Sequence, residues 1–593
     1  SVVFRKYLKG KSKIFWFSFC VTGQVVLVNT VVLSLGLLHI LNRWVVVGIF
    51  YGVFLWSLLK DVRFKREKIE KIQRLFLGTY GIKTFLVGDV IGGIKRGLRR
   101  FWEMIRPRFG EYLFLSIILL YGMIYFSYGA FQVYAYGASD MPVHHAWIYG
   151  LMEGQIFSGK IYPEGMHCFV YTMYALFNIP VYNIQMLLAG IHIVVFLTSA
   201  YAFFMEIFHW RYTALLVVEF FLILDLKTGI MRDSMVRLQW TIPQEFGLFT
   251  QFLCALFLIR FLKSTHHIVF KGKVSKNCWD ENLLAFILSL AASIIIHFYP
   301  TIMAFLLCVS VSIFFLGKIF SKGHFIPLVS AVMGGVLIAA IPMVGAFASG
   351  IEFQGSIYWA LNVMSGDEEN QKEEELEETQ TQEKLVLDEI KESGKDVGVK
   401  DDGVRTQNGM EMKTVTLLDF VRNVISLCQE KIKAIYNYGY ISMHGTGRAK
   451  WFAEASKLVV ILWVIYRVIA IVLNLRFKGR IDKKCLDGYL PLVFASFLFM
   501  TIYTGNQIGI PQLIDKTRIC SSTQLLMLGV VAIPLDMFLS FLKVLFKEGI
   551  MKILSYGCSV GIYVVTIMFG NYHEYLYFFM TRYNSTVMVT NSI

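Results

Sequence analysis

The residues best able to do chemistry collect in a few polar stretches. The richest spans about 132–183. It reads Ser139-Asp140-Met141-Pro142-Val143-His144-His145-Ala146-Trp147, then Glu153, then Lys160-Ile161-Tyr162-Pro163-Glu164-Gly165-Met166-His167. An aspartate carboxylate of ordinary pKa, about 3.9, is ionised near neutrality and can accept a proton. His144 and His145 can hydrogen-bond a phosphate or a sugar hydroxyl, and Glu164 and His167 are candidates for the same subsite. Each has a plainer reading. Aspartate two residues before a proline starts many helices, and Tyr162-Pro163-Glu164-Gly165 makes a good turn. His144, His145, Glu164 and His167 would hold a metal only if the loop gathered them, so a divalent metal is not favoured.

A second stretch, about 226–246, carries Lys227, Arg232, Asp233, Arg237, Gln244 and Glu245. Arginine forks suit phosphate oxygens. The competing reading is ion pairing within the stretch, Arg232 with Asp233 and Arg237 with Glu245. A third runs Tyr436-Asn437-Tyr438-Gly439-Tyr440, then His444 and Arg448. Tyr438 and its neighbours could stack on sugar rings or form an interfacial aromatic belt. Asn506, Gln507, Asp515, Lys516 and Arg518 form a further polar group without a recognisable motif, as do His573, Glu574 and Arg582. Asn584-Ser585-Thr586 fits a glycosylation acceptor.

The elements that must position these groups follow from composition. Of 593 residues, 56% are hydrophobic and 17% charged, and the mean hydropathy is +0.57. Soluble domains carry about 25% charged residues. The chain cannot cover this much apolar surface itself, which excludes a soluble enzyme, a disordered scaffold and a disulfide mini-protein. The net charge of +15 suits a membrane protein's cytoplasmic side better than nucleic acid. The nine cysteines form no C-x-x-C pair and read as small hydrophobes.

Thirteen apolar segments are candidate spans: 14–38, 44–59, 111–131, 184–206, 212–226, 246–262, 282–298, 301–317, 325–349, 456–475, 488–503, 522–542 and 553–569. With the N-terminus inside, Lys and Arg concentrate in the even-numbered connections, from Lys60–Arg108 to Lys543, Lys547 and Lys552. The expected fold is an all-α polytopic bundle of about thirteen transmembrane helices, N-in and C-out. Short interfacial helices are expected in the first large outer loop, and 75–93 reads as another on the inner leaflet. Residues 365–402 hold 15 of the 42 acidic residues and read as a disordered insert. The organisation is then 1–110, a helical hairpin and basic segment; 111–364, the core; 365–402, the insert; and 403–593, an outer loop and C-terminal helices. A further segment is expected beyond Ile593.

An interfacial acid after a span, followed by short helices and Tyr162-Pro163-Glu164-Gly165-Met166-His167, resembles the GT-C superfamily of polytopic glycosyltransferases over roughly 110–570. The resemblance implies a polyprenyl-phosphate-linked sugar donor and a glycan, lipid or protein acceptor at the outer face of the cell membrane. It also implies inversion at the anomeric carbon. Asp140 would be the general base, and Lys227, Arg232, Arg237 or Arg448 would neutralise the departing phosphate. No second acid stands beside Asp140, a departure that bears on metal and subfamily. The rival class is a transporter or flippase of lipid-linked glycan. It draws on ionisable groups inside spans: Glu219, Arg467, Asp536, His192 and His297. These could instead be paired between helices.

Overall fold

The computed structural model describes residues 5–8, 10–60, 70, 73–79, 81, 85–133, 140–228, 237–263, 280–355, 417–441, 448–477, 488–509, 514 and 516–569. Among the described residues the chain is helical, apart from turns and one isolated bridge between Ile161 and Phe353. The main helices are α1 (Lys13–Leu37), α2 (Arg43–Lys60), α3 (Gly92–Ile105), α4 (Phe109–Val133), α5 (Met141–Met152), α6 (Gly165–Phe177), α7 (Val181–Ile207), α8 (Arg211–Thr228), α9 (Phe249–Lys263), α10 (Glu281–Ile296), α11 (Phe298–Ser312), α12 (Lys322–Ala348), α13 (Leu417–Ala434), α14 (Arg448–Phe477), α15 (Tyr489–Tyr503), α16 (Lys516–Val531), α17 (Ile533–Leu545) and α18 (Glu548–Phe569).

Every one of the thirteen apolar segments contains helix. Seven runs among the described residues are long and apolar enough to cross a membrane: Lys13–Leu37, Leu86–Ser127, Val181–Ile207, Pro243–Lys263, Phe298–Ile319, Gly323–Ala348 and Lys516–Lys543. Arg43–Ser57, Glu281–Ile296 and Tyr489–Tyr503 are apolar but shorter. The surface agrees with a membrane protein. Along α12, Ile326, Met333, Leu337, Ile341 and Val344 are all exposed, a contiguous apolar row that water does not tolerate and lipid does. Two segments differ from expectation. Within 75–93, a π-helical turn at Phe85–Ile91 runs directly into α3. The 522–542 segment breaks between α16 and α17, where Pro534 opens the second helix; a proline fits there because its missing N–H has no partner in a first turn.

The core is built around α7, about 40 Å long at 1.5 Å per residue. It packs against α4 on one side and α9 on another. Gly190 allows the approach to α4: a Cβ there would come within 2.3 Å of Ser127 Oγ and 3.2 Å of the Met123 carbonyl. α10 lies against α1, α9 and α12. α1 begins with Ser12 accepting a hydrogen bond from the Phe15 N–H at 3.2 Å. It buries Phe15, Ser18, Thr22, Val25, Asn29 and Val32 at helical spacing.

The length of α7 separates two polar ends. Near its start, Gln185 meets His145. At its finish, Glu206 bonds Arg260 at 3.0 Å and Lys263 at 3.2 Å. At that second end Asp536 receives the backbone N–H groups of His209 and Trp210, each at 2.9 Å, the Thr213 hydroxyl at 2.7 Å and the Tyr489 hydroxyl. Its carboxylate therefore satisfies orphan donors at the N-terminus of α8. Glu111 is likewise held by Arg211 at 2.7 Å and by the Tyr201 hydroxyl.

Candidate functional site

The other end of the bundle carries a hollow. Asp140 immediately precedes α5, and Pro142 lies in that helix's first turn. The carboxylate does not cap the helix, so the cap reading leaves the side chain's position unexplained. His144 follows one turn later, its N–H on the Asp140 carbonyl at 3.1 Å. Asp140, Val143, His144 and Trp147 share one helix face by their spacing, and all four line a cavity of about 310 Å³. Its other walls come from Tyr162, from Ile242-Pro243-Gln244 ahead of α9, from His297 and the first two residues of α11, Phe298 and Tyr299, from Gln354 beyond α12, and from Arg518 in the first turn of α16. Asp140 is solvent-exposed whereas His144, Tyr162 and His297 are buried, so the acid sits at the mouth and the rings form the floor.

The loop joining α5 to α6 is strained and pinned. Phe157 and Lys160 take φ values of 53° and 68°, a left-handed conformation costly for side-chain-bearing residues. The Glu164 carboxylate accepts the Phe157 N–H at 3.0 Å. Ile161 pairs with the segment after α12, donating to the Glu352 carbonyl at 2.8 Å and accepting from the Gln354 N–H at 3.2 Å. These bonds present Tyr162 and Gln354 together. At the start of α6, Gly165 allows a close approach to α10: a Cβ there would lie 2.9 Å from the Ile295 carbonyl oxygen.

The electrostatics follow from burial. His144 is pushed down to about 4 by desolvation, which the nearby Asp140 carboxylate opposes only in part. His167 lies well below its ordinary value, through burial first and then its neighbours His144 and His297. Both imidazoles are therefore neutral at pH 7, and they bond each other, His144 Nδ1 to His167 Nε2, at 3.0 Å. Burial pushes Glu164 up to about 8, offset by the Phe157 N–H. Tyr162 is raised by the same cause, so it remains a neutral hydroxyl. Among the described residues, the cation lining the cavity is Arg518, whose guanidinium meets Gln244 Oε1 at 3.2 Å and stacks 4.8 Å from the centre of the Tyr299 ring. The positive end of α16 adds to its potential. A proton acceptor at the mouth, a guanidinium and neutral hydrogen-bonding rings together suit a reaction that takes a proton from one group and gathers negative charge on another.

The residues singled out in the sequence fare differently. Asp140 and His144 line the cavity. Glu164 and His167 are buried and do not line it. His145 turns to Gln185 at 2.7 Å, with burial lowering its pKa. Arg237 pairs with Glu245 at 2.8 Å and lies over Trp240, which is the ion-pair reading. Tyr438 is exposed on the π-helical turn Ile435–Ile441 and does not line the cavity. Arg232, Asp233, His444, the insert 365–402 and Asn584 lie outside the described residues, as do the side chains of Lys227 and Arg448. Among the described residues no group of three or more His, Cys, Asp or Glu is placed to hold a metal. Of the ionisable groups read inside spans, His192 donates its Nε2–H to the Leu238 carbonyl at 2.8 Å, Arg467 lies over Trp463, and Glu219 is buried. His297 sits at a helix break, φ −171°, its Nδ1 accepting the Tyr299 N–H at 3.0 Å.

Sequence reasoning gave Arg518, Gln244 and Gln354 no place in a site, and it offered His297 only to the rival transporter reading, as an ionisable group inside a span. A signal existed: the alternating assignment puts the connections before 246, after 298, after 349 and before 522 on the same side as Asp140. No known protein family and no curated protein sequence matches the chain.

Proposed function

We propose that the chain is a multi-pass membrane glycosyltransferase of GT-C type, taking a sugar from a polyprenyl-phosphate donor. The observation that carries this reading is the cavity itself, where Asp140 and Arg518 line one hollow of about 310 Å³. That volume lies at the lower end of small-molecule sites, about 300–1,000 Å³. A sugar with its phosphate is a compact group of suitable size, and its prenyl tail would remain in lipid. Thirteen crossings with the N-terminus inside would put the lining groups toward the outer face, since Asp140, Tyr162, Gln244, Gln354 and Arg518 lie in odd-numbered connections and His297 and Phe298 at the outer end of the seventh segment.

In the reaction, an acceptor hydroxyl attacks the anomeric carbon and gives its proton to Asp140. The bond from that carbon to the phosphate oxygen breaks, and the electron pair leaves with polyprenyl phosphate. The configuration inverts because attack and departure are on opposite faces. Arg518 meets the charge developing on the phosphate. General-base assistance is worth about 10²–10⁴-fold.

The test is transfer by the purified protein in liposomes, supplied with labelled polyprenyl-phosphate sugars and a panel of hydroxyl acceptors. Asp140→Asn should lose transfer, and full transfer by that variant defeats the reading. A flippase would instead move labelled lipid between leaflets, follow Glu219→Gln, and ignore Asp140→Asn. The Asp536 network weakens that alternative, since the carboxylate is occupied with the start of α8.

A further inference from the structure

The histidine pair behind the cavity has a direction. His144 Nδ1 and His167 Nε2 lie 3.0 Å apart, so one ring donates and the other accepts. With Nδ1 engaged, Nε2 is the only ring nitrogen His144 has left for the cavity it lines. His167 is fully buried, and its Nδ1 has no hydrogen-bond partner among the described residues. Two arrangements are possible. If His144 donates, His167 must carry its proton on Nδ1, which buries an N–H with nothing to receive it. If His167 donates, its buried Nδ1 is an acceptor lone pair.

Three physical arguments favour the second arrangement. Orphaned buried N–H groups are rarer in proteins than under-satisfied acceptors. His167 is also the third residue of α6, where the positive field of the helix N-terminus favours a lone pair over an N–H. The Asp140 carboxylate acts on His144 from the cavity side, and negative charge there favours an N–H facing it. His297 offers a parallel. Its Nδ1 accepts the Tyr299 N–H, which leaves the proton of that neutral ring on Nε2.

We infer that His167 is a positioning residue: it donates Nε2–H to His144 Nδ1 and so holds His144 as an Nε2–H donor to an oxygen bound in the cavity. On the transferase reading, that oxygen belongs to the phosphate of the lipid-linked donor or to the sugar beside it. His144 then adds a neutral donor to the charge of Arg518. His167 touches no substrate and acts only through its neighbour.

The experiment has two arms. Solid-state NMR of histidine-labelled protein in bilayers reads ring protonation directly, with the His144 signal identified by its loss in His144→Phe. His144 should carry its proton on Nε2. A proton on Nδ1 overturns the inference whatever the reaction is. The second arm rests on the transferase reading and compares His167→Gln, which keeps an N–H near the Nε2 position, with His167→Met, which has no donor. Gln should keep transfer within about threefold of wild type. Met should lose about ten- to hundredfold while melting at the same temperature. Equal transfer by Gln and Met overturns the positioning role. If wild type transfers no sugar at all, the transferase reading falls, yet the NMR arm still decides the tautomer.

Discussion

The two ends of the bundle use acids in opposite ways. At one, Asp536 accepts two backbone N–H groups and two hydroxyls, and Glu111 is held by Arg211 and Tyr201. Those carboxylates are fully buried and tie α4, α7, α8, α15 and α17 together. At the other, Asp140 is exposed beside a hollow that Arg518 also lines, and Arg518 bonds Gln244 and stacks on Tyr299, with the Glu245 carboxylate close enough to act on it. Asp536, with both carboxylate oxygens engaged, has nothing left for a ligand. An acid and a guanidinium lining a cavity of molecular size can still meet one. Ionisable residues in a membrane protein therefore divide by what surrounds them, not by depth alone.

The largest expected effects come from exchanging the two aspartates' fates. Asp140→Asn should lower sugar transfer by about 10²–10⁴-fold, the usual worth of a general base, while leaving the melting temperature in detergent unchanged. Asp536→Leu should do the reverse at the level of folding. It strands the His209 and Trp210 N–H groups and costs about 3–5 kcal/mol, as breaking a buried charged network does, so yield and melting temperature fall together. If Asp140→Asn unfolds the protein and Asp536→Leu does not, the division between the ends is wrong. Next in size is Arg518→Gln. Loss of one group aimed at developing charge costs about 10²–10³ in turnover. The drop should appear in turnover more than in apparent donor affinity, with melting unaffected. A merely structural Arg518 would show a lower melting temperature and ordinary turnover.

Much of this division was readable in the sequence, though unevenly. The thirteen apolar segments were legible because lipid demands long apolar runs, and helix occupies each of them. Asp140 was legible by type and place: an acid after an apolar run, two residues before Pro142. The rest of the cavity was not, because its walls come from short connections far apart in the chain, and only packing reveals that they converge. Arg518 lacked any motif. His297 read as intramembrane because its apolar neighbours hide the helix break, although Pro300 three residues later was a hint. Arg237 was read both as a phosphate ligand and as the partner of Glu245, and only coordinates could choose between them. The buried roles of Glu164 and His167 depend on how the loop between α5 and α6 folds back, which spacing does not encode.

Glu164 offers the smallest and most specific contrast, since it is an acid at the open end that behaves like those at the closed one. Burial raises it to about 8 from an ordinary 4.5, so the folded protein keeps its proton where the unfolded chain has lost it. Stability from this group is fully present below about pH 4.5 and is lost as pH rises toward 8, by at most about 1.4 kcal/mol per pH unit. Glutamine cannot ionise and retains a carbonyl oxygen for the Phe157 N–H. The melting temperature of Glu164→Gln relative to wild type should therefore rise from pH 5 to pH 8, because the contributions of the buried histidines are common to both proteins and cancel in the difference. Transfer at pH 6 should be within about threefold of wild type, because Glu164 shapes the loop without lining the cavity. A large loss of transfer in Glu164→Gln, with melting intact, would move this acid from the scaffold into the reaction and make Asp140 one of a pair.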